Sequence, residues 1–176
     1  MTDRKYTPYV LVEKKYPKLP EHLKTKLFDI EPSVSNGSKM WPCEVVLDNG
    51  DKCDCVYIMD ADDYIRSWGV WPEDDPGKEC VDILRVKDIR PSLNRLPVYL
   101  ANKLYSSGES GMGYMVFTLL FSDNSSQAYV AGNAIDFVSL PVGKKMEDIV
   151  DVIPHRDRNL KNKVESPKYF WCLYST

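Results

Sequence analysis

The chain predicts an α+β fold, and three observations carry that expectation. Apolar runs with strand-like character recur along its length. One strong hairpin signal sits at Asn49-Gly50. Only one segment, 96–107, reads as a well-punctuated longer helix. The expected architecture is antiparallel β-hairpins forming a curved sheet or open barrel, with the 96–107 helix packed on one face and short accessory helices around it. A length of 176 residues fits a single globular domain, with residues 1–20 as a loosely packed extension.

Taken in order, residues 9–13, Tyr-Val-Leu-Val-Glu, form a short strand candidate. Pro20 then opens a short helix in which Leu23 and Leu27 fall one turn apart, because proline suits a first helical turn. Residues 41–59 surround Asn49-Gly50, the dipeptide that fits both turn positions of a two-residue hairpin loop. Such a loop pairs Leu47 with Lys52 and Val46 with Cys53. Cys43, Val45, Leu47 and Val56 then share one face, and Val46, Cys53, Cys55 and Tyr57 share the other.

That register bears on a zinc reading of Cys43, Cys53, Cys55 and Cys80. Cys43 is placed opposite Cys53 and Cys55, and the usual ligand spacing is missing. With an odd total of five cysteines, we expect free thiols in the core and no cofactor.

Residues 60–69 read as a capped helix. Asp60 or Asp62 faces the first amides, Tyr64, Ile65 and Trp68 share a face, and Gly69 is the stop. Asp60, Asp62 and Asp63 also raise an alternative: hard oxygen ligands for a divalent cation in a metal-dependent hydrolase. Residues 69–79 form a loop that sets Trp71 beside Glu73, Asp74 and Asp75, a candidate recognition tip. Residues 80–90 read as one or two strands. The 96–107 helix has Pro97 in its first turn, Leu96, Leu100 and Leu104 in line, and Gly108 as its stop. Residues 113–121 are apolar on both alternating faces, as a central strand requires. A return strand follows at 127–131, another is expected within 133–140, a short helix within 143–153, and a final strand over 168–175.

The stretch Gly108-Glu109-Ser110-Gly111-Met112-Gly113 satisfies the opening of a phosphate-binding loop, but Tyr114 and Met115 stand where lysine and a hydroxyl residue are needed. The loop also leaves a helix C-terminus, where the dipole repels anions. Nucleotide binding is therefore excluded as an expectation. Glu109 and Ser110 remain as polar side chains able to face a partner. The two histidines, His22 and His155, offer no catalytic signature, and His155 is expected in a surface loop beside Asp157.

Charge points to a partner class. The net charge is −3, yet residues 41–80 hold eleven of the 26 acidic residues and three of the 23 basic ones. That argues against nucleic acid, which needs clustered cations, and fits a basic protein. No apolar run approaches the roughly 18 residues of a membrane span, and no secretory leader is apparent, so the expected setting is a soluble, cytoplasmic one. The leading expectation is a non-enzymatic protein-binding module, of the kind of an inhibitor or immunity protein, contacting a basic partner through Trp68, Trp71, Glu73, Asp74, Asp75, Glu109 and Ser110.

Overall fold

The computed structural model describes residues 13–156 and 159–176. It is an α+β arrangement of three α-helices and two mixed sheets that do not close into a barrel. The strand expected over 9–13 falls almost wholly outside the described residues, as does Asp157. Of the expected loose extension, the part that is described is packed: Leu19 is buried, and Lys18 bridges to Ser175.

Helix α1 (Glu21–Phe28) follows Pro20 and buries Leu23 and Leu27, as their one-turn spacing predicts. Strands β1 (Ser33–Ser35), β2 (Ser38–Leu47) and β3 (Lys52–Asp60) run antiparallel in sequence. The Asn49-Gly50 hairpin forms, with a different register from the expected one. Val46 pairs with Lys52 and Val45 with Cys53. Gly50, at φ 87°, closes a three-residue loop in place of a two-residue one. A bulge then follows where Cys55 takes a φ of 58°. The two irregularities re-sort the thiols. Cys53 shares the face of Cys43 and Cys172, and Cys55 lies on the opposite face. The face assignment from the sequence is corrected accordingly, and all five cysteines are unpaired.

Helix α2 (Ala61–Trp68) leads through a 3-10 turn at Pro72–Asp74 to β4 (Glu79–Cys80). Next come β5 (Val86–Arg90) and helix α3 (Val98–Ser107). Strands β6 (Met115–Phe121), β7 (Ser126–Ala131), β8 (Ile149–His155), β9 (Val164–Glu165) and β10 (Phe170–Tyr174) complete the chain.

The first sheet has the order β1-β2-β3-β10-β4, with β5 on the far half of β2. The second has the order β8-β6-β7-β9. The pairings are not all antiparallel: β10 runs parallel to both β3 and β4, and β9 is parallel to β7. Two further expectations are corrected. The helix expected within 143–153 is a 3-10 turn at Met146–Asp148 followed by β8, because β6 supplies a ladder partner for that segment. The strand expected within 133–140 is irregular apart from one bridge between Arg95 and Phe137. His155 is the last residue of β8, not a loop residue, and its ring nitrogen lies 2.8 Å from Thr118 Oγ1.

Three apolar clusters fill the spaces. One lies between α1 and the first sheet. A second lies between α3 and the second sheet, where Leu96, Leu100 and Leu104 meet Phe117, Leu119 and Tyr129. The third joins the two halves: Tyr57, Tyr64 and Trp171 of the first half pack with Ala134 and Phe137 from beyond β7. No helix among the described residues is long and apolar enough to cross a membrane.

Candidate functional site

Three chain reversals meet at the seam between the two halves. The first is the β1–β2 turn, where Asn36 and Gly37 take φ values of 49° and 80°. The second is the end of α2. Asp60 caps this helix by accepting from the amides of Asp62 and Asp63 at 3.0 and 3.2 Å, and Gly69 stops it in the left-handed conformation. The third is the end of α3, where Gly108 turns the chain toward β6. Between them lies a pocket of about 120 Å³ whose walls include Asn36, Ser67, Trp68, Tyr105, Glu109 and Asn133.

The described lining of this pocket carries charge of one sign, although the Lys78 ammonium lies over the Trp68 ring at 5.9 Å from its centroid. Among the described residues lining it, Glu109 is the one carboxylate, and there is no lysine, arginine or histidine. Asn133 Oδ1 is buried without a hydrogen-bond partner, a cost of about 1–3 kcal/mol unless something donates to it. Trp68 is half-buried. Its ring stacks on Tyr64 at 4.9 Å and meets the edge of Trp171 at 4.7 Å, which fixes the indole in place. Glu109 is exposed, and its Oε2 accepts from the Gly113 amide at 3.1 Å, which braces the glycine-rich loop.

Behind the pocket, Tyr105 connects to a buried polar network. Its hydroxyl donates to Asp136 Oδ2 at 2.6 Å and accepts from the Ile135 amide at 3.1 Å. Asp136 is fully buried. Its carboxylate also accepts from Ser33, its amide donates to the Tyr57 hydroxyl at 2.9 Å, and Arg95 Nε lies 3.9 Å from Oδ1. Burial holds the Asp136 carboxyl above the ordinary carboxylate range, against the downward pull of Ser33, Tyr105 and Arg95. The network joins β1, β3, α3 and the segment after β7, so it ties the walls of the pocket to the first sheet and to α3.

Of the residues singled out in the sequence, Trp68 and Glu109 are brought together at this pocket from 41 positions apart. The others lie elsewhere. Trp71 is not an exposed tip: it is 6% exposed, packed 5.3 Å from the Tyr16 ring, because the 3-10 turn after it folds the loop back onto the core. Glu73 and Asp74 pair with Lys14 at 3.5 and 2.9 Å, and Asp75 pairs with Lys78 at 2.8 Å. The acidic tip is thus matched by cations of its own chain. Glu73 also accepts from the Tyr16 hydroxyl at 2.8 Å and borders a separate groove of about 380 Å³ with Cys80 and Trp171. The Ser110 hydroxyl accepts from the Val116 amide at 2.7 Å, so it shapes the loop and does not project from it.

Two of the three acids are used structurally. Asp60 is the cap, and Asp63 is bonded to Arg66. Among the described residues, no group of three His, Cys, Asp or Glu is placed to hold a metal ion, so the ligand set required by the hydrolase alternative is not assembled. The thiols are not activated either. Burial pushes Cys55 up to about 12, and partial burial beside Glu73 pushes Cys80 up to about 11, so both stay protonated near neutrality.

Asn133 and the Asp136 network escaped the sequence reading. The signal for Asp136 was present: a lone carboxylate inside the apolar run Ala134-Ile135-Asp136-Phe137-Val138 must find buried partners. No family model, no curated protein and no solved structure matches this chain.

Proposed function

We propose that this chain is a non-enzymatic binding module that docks onto a basic protein, in the manner of a small cytoplasmic inhibitor or immunity protein. The observation that carries the reading is the seam pocket, which pairs the Trp68 indole with the Glu109 carboxylate and has no lining cation among the described residues. At about 120 Å³ it lies well below the roughly 300–1,000 Å³ of small-molecule sites. It suits one side chain of a larger partner, with a fixed aromatic ring as the buried contact and charge as the guide. The tip acids Glu73, Asp74 and Asp75 take a lesser part in this reading, because each is already paired within the chain, Glu73 and Asp74 with Lys14 and Asp75 with Lys78.

The test is capture from the native lysate at low and high salt, read by mass spectrometry, with three baits: the wild type, Glu109→Lys, and the triple reversal of Glu73, Asp74 and Asp75 to lysine. The expected result is a basic partner whose capture weakens with salt, is lost with Glu109→Lys, and is reduced less by the triple reversal. An acidic partner, or equal capture by wild type and Glu109→Lys, overturns the reading.

A further inference from the structure

We infer that the seam pocket is a receptor for a single arginine side chain, supplied by the basic partner proposed above, on which this inference rests. The starting point is the Asn133 side chain at the pocket wall, whose Oδ1 has no hydrogen-bond partner. Its cost is removed only when a donor arrives. The second wall element is the Glu109 carboxylate, and the third is the rigidly stacked Trp68 ring. The occupant must therefore donate several hydrogen bonds, carry positive charge and present a surface to an indole.

Guanidinium meets all three demands. It has five N–H donors in a plane, it sits well against aromatic rings, and it is more weakly hydrated than ammonium. Weak hydration matters because the described lining supplies a single carboxylate, and a lysine head would leave more water behind than that one partner returns. A neutral amide could fill the space but would gain nothing from Glu109. The same cradle explains how Glu109 can be exposed and still specific: the Gly113 amide holds its Oε2, so the carboxylate is oriented before any ligand arrives.

The experiment is a titration of the full-length, nitrogen-15-labelled protein with N-methylguanidinium chloride and, at matched ionic strength, methylammonium chloride. The resonances followed are the Trp68 indole N–H and the Asn133 side-chain amide. Saturable shifts centred on these two groups are expected with N-methylguanidinium. Methylammonium should bind more weakly by roughly tenfold, as should N-methylguanidinium to Glu109→Gln, since a charged hydrogen bond is at stake in each comparison. Glu109 is exposed, so Glu109→Gln should keep its melting midpoint, which separates lost binding from lost folding. Equal response to the two cations, non-saturating shifts spread over the surface, or unchanged binding by Glu109→Gln would overturn the inference. The two proposals can fail separately. Loss of partner capture by Glu109→Lys with no guanidinium binding removes the arginine and leaves the docking reading. Guanidinium binding with undiminished capture by Glu109→Lys does the reverse.

Discussion

Asp136 holds its carboxylate away from water, between Ser33, Tyr105 and Arg95. Removing it with Asp136→Ala would strand an arginine side chain that is only 10% exposed, at a cost of about 3–5 kcal/mol. The subtler consequence concerns pH. Burial raises the folded-state value, so the folded protein holds this proton more tightly than the unfolded chain does. The stabilising contribution is full below the ordinary carboxylate value of about 3.9 and fades as pH climbs through the raised one. Other carboxylates act oppositely: Lys26 and Arg90 hold Asp88 down to about 2, so its contribution is lost only as acid takes the pH toward that value. Comparison with Asp136→Asn cancels them. In urea titrations, the stability advantage of wild type over Asp136→Asn should shrink as pH rises from about 4 toward 7. An advantage that grows with pH would mean that the Arg95 charge outweighs desolvation. At this scale the sequence was legible only in part. Trp68 and Glu109 stood out as polar or amphipathic groups at helix ends and on loops. Asn133 did not, because whether a carbonyl lacks a donor depends on what packs around it from elsewhere in the chain.

Helix α2 ties local stability to the site, since Ser67 and Trp68 in its last turn form part of the pocket wall. Asp60→Ala should lower stability by about 1 kcal/mol through loss of the cap, and Asp60→Asn should be nearly neutral, because asparagine caps as well as aspartate. Thermal melting of the two variants against wild type is the measurement, and equal loss in both would point away from capping. All three helices could be read from the sequence because their ends are written in local residues: Pro20, Asp60 with Gly69, and Pro97 with Gly108. The strands were harder. Across the 3-10 turn and β8, Met146, Ile149, Val150 and Ile153 recur at three and four residues, a helical spacing, yet β6 offers a ladder partner that no local pattern reveals. At the Asn49-Gly50 hairpin the turn was legible and its length was not. Asp48 Oδ1 accepts from the Asn49 amide at 2.9 Å, and the extra loop residue shifts every pair beyond it.

At the scale of the molecule, Trp171 is the common element. It is 1% exposed and meets the rings of Tyr57, Tyr64, Trp68 and Tyr169 at centroid distances of 5.1, 4.9, 4.7 and 5.8 Å. Trp171→Ala should cost about 3–5 kcal/mol as a cavity opens in the cluster that joins the two halves. The loss should be global: far-ultraviolet and near-ultraviolet dichroism should lose their signals at the same, lowered urea concentration. Separate transitions would show that the two sheets unfold independently. The α+β class was legible from the sequence, whereas the parallel seat of β10 was not, since partners so distant in the chain leave no mark on either segment. That seat has a consequence for biosynthesis. The whole second sheet and α3 are strung between β3 and β10, so a ribosome delivers Val56–Asp60 well before the strand that will cover its edge. Until Phe170–Tyr174 emerges, the nascent chain presents open backbone beside Tyr57, Ile58 and Met59, an invitation to wrong partners. The second sheet can form in that interval. The first must wait for it, and closing so long a loop makes the final step slow.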